Sequence, residues 1–233
     1  MATSEVTLWC VVPAAGRSTR IGGDRPKQYL PIAGKSMLLR TLERLARHPR
    51  IGGLMVVLAA TDRLWPGLDT IDGKAVLTCV GGDERADSVL AGLNGLRTHV
   101  GDGQFVLVHD AARPFVSLND VSRLIELGVP AGGGLLAVPL RDTLKRAQPG
   151  NRVAATESRE ERWRALTPQM FRYGELVAAL QAARTSGVAV TDEAMAMERA
   201  GHAPLLVEGA ESNIKVTTPA DLLLAEFLMS RTD

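Results

Sequence analysis

Five short apolar runs, rich in valine and leucine, alternate with helical patterns along the chain. The runs are TLWCVVP at 7–13, LMVVLA at 54–59, AVLTCV at 75–80, FVLVH at 105–109 and GLLAVP at 134–139. Strands that are apolar on both faces are typical of a parallel sheet covered by helices on both sides. The alternation predicts an α/β fold with a doubly wound, mostly parallel sheet, in one domain that spans residues 1–233.

Two of the predicted helices carry capping signatures at their N-termini. Ser117 and Asp120 have the spacing of a capping box, in a helix that is predicted to end at Gly128. Thr218 and Asp221 repeat this spacing near the C-terminus, with proline at the first helical position between them. Both signatures predict well-defined helix starts.

The segment 140–164 interrupts the alternation. It is highly charged, has few large apolar residues and centres on the turn signal QPGN at 148–151. These features predict a protruding β-hairpin arm. Because a long exposed hairpin is only marginally stable in water, we expect the arm to pack on the body or to be covered by another subunit.

Composition and charge exclude several classes of partner. The formal net charge is +1, so nothing global points to nucleic acid or to an anionic membrane. The N-terminal MATSEV has no signal pattern and no apolar run approaches the ~20 residues of a membrane span, so we expect a cytoplasmic protein. Cys10 and Cys79 lie in apolar runs and are predicted to be buried thiols, and the four scattered histidines predict no metal cluster.

The segment 13–35, PAAGRSTRIGGDRPKQYLPIAGK, is predicted to be a long loop without secondary structure. In an open α/β sheet such a loop follows the first strand at the edge where ligands bind. From Ala14 onward its five basic residues exceed its one acid by a local charge of +4; they are Arg17, Arg20, Arg25, Lys27 and Lys35, against Asp24. Gly16 lets backbone amides approach phosphate oxygens, so the loop is interpreted as a polyphosphate cradle, with a solvated basic loop as the alternative.

Two common nucleotide-binding motifs are absent from this loop. A G-x-G-x-x-G fingerprint that began at Gly16 would need glycine at Ser18. The GKS at 34–36 would need the first glycine of a P-loop at Tyr29. Neither motif describes this sequence.

Polar residues follow two further strands. VLVHDAARPF places Asp110 at the carboxyl end of a strand, with Arg113 three residues on. A carboxylate there suits Mg²⁺ or a polar substrate, or it caps the following turn. GGDERADSV adds Gly82, Asp83 and Ser88 at another strand end. The three segments are predicted to converge on one site.

Six motifs occur in order along the chain: AAG…R…PKQY, GGDERADSV, HDAARP, ALTPQ, TDEA and NIKVT. Together they resemble the 2-C-methyl-D-erythritol 4-phosphate cytidylyltransferase family, which uses CTP in non-mevalonate isoprenoid synthesis. The resemblance implies a nucleotide-diphospho-sugar transferase-like fold and transfer of CMP from CTP to methylerythritol phosphate, with release of pyrophosphate. It also implies Mg²⁺ as cofactor and a homodimer with exchanged arms.

The resemblance assigns a role to each matching residue. Catalytic roles are implied for Arg20, Lys27 and Asp110, and Asp110 is also the implied metal contact. The implied CTP contacts are Ala14, Ala15, Gly16, Gly82, Asp83, Ser88 and Ala111. The implied methylerythritol phosphate contacts are Arg113, Thr143, Arg159, Thr191 and Lys215. The family usually has a second glycine where this chain has Ser18.

Several alternatives stay open. Thr191 also fits a helix N-cap, Lys215 a surface lysine, and Thr143 and Arg159 a solvated hairpin. For the whole chain, the alternatives are a ribitol 5-phosphate cytidylyltransferase and a non-catalytic nucleotide-sensing domain. Retention of Arg20, Lys27 and Asp110 argues against the sensor, because a sensor has no transition-state charge to stabilise.

Overall fold

The computed structural model describes residues 7–16 and 25–231. Its strands are β1 (Leu8–Pro13), β2 (Pro31–Ile32), β3 (Lys35–Ser36), β4 (Ile51–Leu58), β5 (Thr70–Ile71), β6 (Lys74–Val80), β7 (Phe105–Val108), β8 (Gly133–Pro139), β9 (Leu144–Gln148), β10 (Arg152–Glu157), β11 (Trp163–Arg172) and β12 (Leu205–Glu208). Its helices are α1 (Met37–Ala46), α2 (Arg85–Gly95), α3 (Leu118–Ala131), α4 (Tyr173–Thr185), α5 (Glu193–Arg199) and α6 (Pro219–Met229), with a 3-10 turn, η1, at Lys27–Tyr29.

An eight-stranded sheet forms the centre, in the order β12-β8-β11-β7-β1-β4-β6-β5. Strand β1 pairs in parallel with β4 and β7, and β4 pairs in parallel with β6. Strand β11 runs antiparallel between β7 and β8, and the short edge strand β5 is also antiparallel. The prediction of a mostly parallel sheet is confirmed, and all five predicted strands are present.

Helices cover both faces of the sheet, which explains why its strands are apolar on both sides. Cys10 and Val12 of β1 belong to a core that includes Leu42 of α1 and Leu124 of α3. The intervening Val11 points to the opposite core, which includes residues of α2 and α4. Successive side chains of a strand point to opposite faces, so a strand between two helical layers needs apolar residues at consecutive positions.

The capping predictions are correct at α6 and partly wrong at α3. Thr218 and Asp221 form the complete capping box at α6. At α3 the Ser117 hydroxyl accepts from the amide of Asp120, but the Asp120 carboxylate accepts from the amide of Ala210 instead of completing the box. The helix also continues beyond Gly128, through Ala131.

The expectation of a loop without secondary structure over 13–35 is wrong for its second half. After η1, strands β2 and β3 form a two-stranded hairpin whose turn contains Ala33 and Gly34, both with positive φ. Residues 17–24, which include Arg17, Ser18, Arg20 and Asp24, lie outside the described residues.

The predicted arm is present and shorter than expected. Strands β9 and β10 pair antiparallel around a turn at Gly150 and Asn151, and most of their residues are exposed. Trp163 and Arg164 pair with β8 in the main sheet, so the end of the predicted arm belongs to the body.

Cys10 is fully buried, as predicted, and burial raises the pKa of its thiol. Cys79 is only half-buried, so that prediction is wrong; it lies on β6, next to the edge of the sheet. Within residues 7–16 and 25–231, no three histidine, cysteine or acidic residues are grouped to hold a metal, and no helix could span a membrane.

Candidate active site

A cleft of about 530 Å³ lies at the carboxyl ends of β1, β4, β6 and β7. Its volume lies within the range of small-molecule sites. Ten of the predicted site residues line it: Ala14, Ala15, Gly16, Lys27, Gly82, Asp83, Ser88, Asp110, Ala111 and Lys215. The three strand-end segments therefore converge as the sequence predicted, because parallel strands end at the same edge of the sheet.

Four other predicted residues that the structure describes lie outside this lining: Arg113, Thr143, Arg159 and Thr191. Arg20 falls outside the described residues, and Arg113 is buried behind Asp110. Thr143 and Arg159 are exposed on the arm segment, where Arg159 bonds to the Arg141 carbonyl. None of these described residues lines the cleft of its own chain.

Thr191 precedes α5 and is exposed, with its hydroxyl 3.6 Å from the sulfur of Met195. The N-cap of α5 is Asp192, whose carboxylate accepts from the amide of Met195 at 2.9 Å. The N-cap alternative for Thr191 is therefore wrong.

Asp110 is the electrostatic centre of the cleft. Its carboxylate lies 2.9 Å from the Lys215 ammonium, 3.1 Å from Nε of Arg85 and 3.4 Å from Nε of Arg113. Burial alone would raise the pKa of Asp110, but attraction by Arg85, Lys215 and Arg113 lowers it far below its usual range. The group is a permanent carboxylate at neutral pH.

Arg85 is a residue of the cleft that sequence reasoning missed. Its Nη1 and Nη2 donate to the two carboxylate oxygens of Glu193 at 2.6 and 3.1 Å, while its Nε donates to Asp110. Burial raises the pKa of Glu193, and the ion pair with Arg85 opposes that rise. Arg85 lies in the motif GGDERADSV and Glu193 in the motif TDEA. Their positions in these motifs are the sequence signal that could have identified them.

A directional hydrogen-bond chain fixes the backbone around Asp110. His109 Nε2 lies 3.0 Å from the Arg113 carbonyl, which can only accept, so Nε2 carries the proton and Nδ1 is an acceptor. The Thr167 hydroxyl donates to that Nδ1 at 3.0 Å and accepts from the amide of Asp110 at 3.0 Å. Burial lowers the pKa of His109 to about 4, so the neutral tautomer persists.

Glycine is required at Gly81, where the loop after β6 meets the loop after β1. A Cβ on Gly81 would lie 2.6 Å from the Ser88 hydroxyl and 2.8 Å from Cβ of Ala15. The Ser88 hydroxyl donates to the Gly82 carbonyl at 3.3 Å. The absence of a side chain at Gly81 thus brings the start of α2 against the loop that follows β1.

Comparison with known proteins agrees with this geometry. The family model described as IspD, 2-C-methyl-D-erythritol 4-phosphate cytidylyltransferase, matches residues 8–231. The chain belongs to this family. A relative of the same name from Stenotrophomonas maltophilia (strain R551-3) is 56% identical over 96% of this chain and 97% of its own length. The relative from Xylella fastidiosa (strain M23) is 54% identical over 97% of this chain and 98% of its own.

Solved structures of the family share the fold. The cytidylyltransferase of Francisella tularensis superposes with a TM-score of 0.82 at 34% identity, over 95% of this chain and 99% of that one. The enzyme of Thermus thermophilus gives a TM-score of 0.78 at 31% identity, over 97% of this chain and 100% of that one. The predicted cytidylyltransferase family and nucleotidyltransferase fold are confirmed.

Proposed function

We propose that the cleft binds CTP and that the chain transfers CMP from CTP to 2-C-methyl-D-erythritol 4-phosphate, with release of pyrophosphate. The observation that carries the proposal is the cluster of Lys27, Arg85 and Lys215 that lines the strand-end cleft. The family model matches this chain over residues 8–231, which include all three. A phosphate-transfer site needs such fixed positive charge, because it must bring two anions together.

The reaction forms a bond from a phosphate oxygen of the acceptor to the α-phosphorus of CTP. It breaks the bond from that phosphorus to the oxygen that leaves with pyrophosphate. A phosphate monoester has a second pKa of roughly 6, so the acceptor is already an anionic nucleophile near pH 7. A general base is therefore not required, and the chain's contribution is orientation and charge.

Lys27 lines the cleft. Of the cations that the structure describes in this lining, it is the nearest in sequence to the loop after β1. Its ammonium would neutralise the α-phosphate as negative charge develops in the transition state. Arg20 is assigned the same role on its position in the family motif. The segment 14–16 would hold phosphate and ribose through the amides of Ala15 and Gly16, because the Ala14 amide donates to the Val57 carbonyl. The residues that follow β6 would hold the base; they are Gly82, Asp83 and Ser88.

We assign Mg²⁺ to the Asp110 side of the cleft from the family motif, with Asp110 as its one protein carboxylate and phosphate oxygens as its other ligands. Mg²⁺ is usually bound in this way, with one or two carboxylates and several waters. A bound ion would supply charge neutralisation for the departing pyrophosphate. Asp110 already contacts Arg85, Arg113 and Lys215. We expect those cations to set how closely the carboxylate approaches the ion.

Methylerythritol phosphate is assigned to the side of the cleft near Lys215. Arg113 and Thr191 are assigned to the same substrate from their positions in the family motifs. Thr143 and Arg159 are too exposed on their own arm to complete this side, so we assign them to the cleft of a second subunit. The active unit is accordingly a homodimer with exchanged arms, working in the cytoplasm.

The test is pyrophosphate release from CTP with each acceptor. Methylerythritol phosphate should support turnover at least about ten times faster than ribitol 5-phosphate, and turnover should stop in EDTA and return with Mg²⁺. A preference for ribitol 5-phosphate would identify a ribitol 5-phosphate cytidylyltransferase. CTP binding without any turnover would identify a nucleotide sensor.

A further inference from the structure

The 3-10 turn η1 carries Lys27 into the cleft, and the two residues after Lys27 fasten the turn. Gln28 is 5% exposed, and its Nε2 donates a hydrogen bond of 2.7 Å to the Ala14 carbonyl. The Tyr29 hydroxyl donates to the Asp62 carboxylate at 2.8 Å. Gln28 therefore joins the two ends of the segment between β1 and η1, which are 14 residues apart.

The acceptor of this bond is itself fixed to the sheet. The amide of Ala14 donates to the Val57 carbonyl of β4 at 2.8 Å. Ala14 thus has both backbone polar groups engaged, one by the central sheet and one by Gln28. On the other side of η1, the Lys27 ammonium lies 3.3 Å from the Val216 carbonyl. The turn is held between the end of β1 and the segment before α6.

We propose that Gln28 is a positioning residue: its amide ties η1 to Ala14 and so fixes Lys27 relative to Ala15 and Gly16. This inference rests on the proposed function, because the effect of Lys27 is measured as turnover. A buried carbonyl needs a donor, and a glutamine amide supplies one without adding charge beside the phosphates. Misplacement of a catalytic group by about 1 Å can cost roughly 10²-fold in rate.

A double-mutant cycle tests the coupling between the two residues. Turnover at saturating CTP and methylerythritol phosphate is measured for the wild type, Lys27→Ala, Gln28→Met and the double variant. Methionine keeps the length and volume of glutamine but donates no hydrogen bond. We expect Gln28→Met to lower kcat roughly tenfold or more. Lys27→Ala should cost about 10²-fold alone and less than about tenfold in the Gln28→Met background.

A purely structural role for Gln28 predicts a different result. The two losses would then multiply, because a general loosening would leave the Lys27 contribution intact. Multiplicative losses, or full kcat in Gln28→Met, would overturn the proposal. Isothermal titration with CTP adds a second readout, and we expect the Gln28→Met Kd to stay within about threefold of the wild type because the phosphate-contacting amides remain.

Tyr29→Phe is the matched control on the other side of the turn. It keeps the ring and removes the bond to Asp62, so we expect less than about a threefold loss of kcat. An equal loss in Tyr29→Phe and Gln28→Met would also contradict a specific role for the amide. If Gln28→Met does not fold, the cycle is run with Gln28→Asn, whose amide is one methylene too short to reach Ala14. Absence of turnover in the wild type would instead refute the proposed function.

Discussion

The Asp110 carboxylate lies 2.9 Å from the Lys215 ammonium, which joins the end of the central strand β7 to the segment that precedes α6. Lys215 is also part of the cleft lining, with 39% of its side chain exposed. The buried Asp110 carboxylate therefore orders the Lys215 side chain in the cleft lining, and the other N–H groups of the ammonium can donate to a phosphate in the cleft. Arg85 approaches the other carboxylate oxygen and is held in turn by Glu193.

Asp110→Asn is expected to impair both turnover and stability. The amide is nearly isosteric but leaves three cations without their shared carboxylate. We expect turnover to fall by about 10²-fold or more. The free energy of unfolding should fall by about 3–5 kcal/mol, the usual effect of breaking a buried ion pair. Pyrophosphate release and urea denaturation measure the two effects, and wild-type values for both would contradict the assigned role.

Lys27→Ala is expected to lower kcat by about 10²-fold while the Kd for CTP changes much less, because its charge acts mainly in the transition state. Arg20→Ala should behave in the same way. Lys35→Ala is the matched control from the same segment, since Lys35 pairs with Glu43 at 2.6 Å and does not line the cleft. A Lys27→Ala variant that kept about a third or more of wild-type turnover would rule out this assignment.

Acid should destabilise the protein through His109. Its pKa of about 4 in the fold lies below the ordinary value of 6.5, so between these values the unfolded state binds more protons than the native state. Stability is therefore retained above pH 6.5 and is lost as the pH falls toward 4, by up to about 1.4 kcal/mol per pH unit. His48 is also buried, and burial lowers its pKa, so it adds to the same trend.

Two measurements check the His109 prediction. In NMR titrations the His109 imidazole should stay neutral at about pH 5, where exposed histidines are charged. In urea denaturation between about pH 7 and 5, the wild type should lose more stability than His109→Asn, which has no imidazole to protonate. A His109 resonance that titrates near the ordinary value of about 6.5 would be incompatible with the buried hydrogen-bond chain.

The sequence predicted those parts of the site that depend on local pattern. Apolar runs located the strands, and the polar residues after each run, such as Asp83 and Asp110, had to meet at one edge of the sheet. Arg85 and Glu193 could not be paired in this way, because they are 108 residues apart and several acids offered equal partners. Gln28 lies in the PKQY motif, but its role could not be predicted from it, because its acceptor is a backbone carbonyl that carries no sequence signal.

Strand β11 escaped prediction for a related reason. Its first three residues are half-buried or exposed, and burial begins at Leu166. It lies antiparallel between two strands of a sheet that the alternation described as parallel, with a register shift between Ala165 and Gln169. A strand with such mixed character resembles a loop in sequence, and tertiary pairing alone identifies it.

The exchanged-arm dimer makes a prediction that activity measurements on mixtures can decide. The arm strands β9 and β10 are exposed, and Arg159 beyond them does not line the cleft of its own chain. If Arg159 acts in the partner's cleft, Lys27→Ala and Arg159→Ala proteins, each nearly inactive alone, should regain activity when mixed and allowed to exchange subunits.

The expected recovery follows from random pairing. About half of the dimers would be heterodimers, each with one site that carries both substitutions and one that carries neither, so activity should approach about a quarter of the wild-type level. A mixture of Lys27→Ala with Lys27→Ala/Arg159→Ala is the control, because Lys27 is missing from every site. Native mass spectrometry of subunits of different mass verifies exchange. Proven exchange without recovery would show that each arm serves its own subunit.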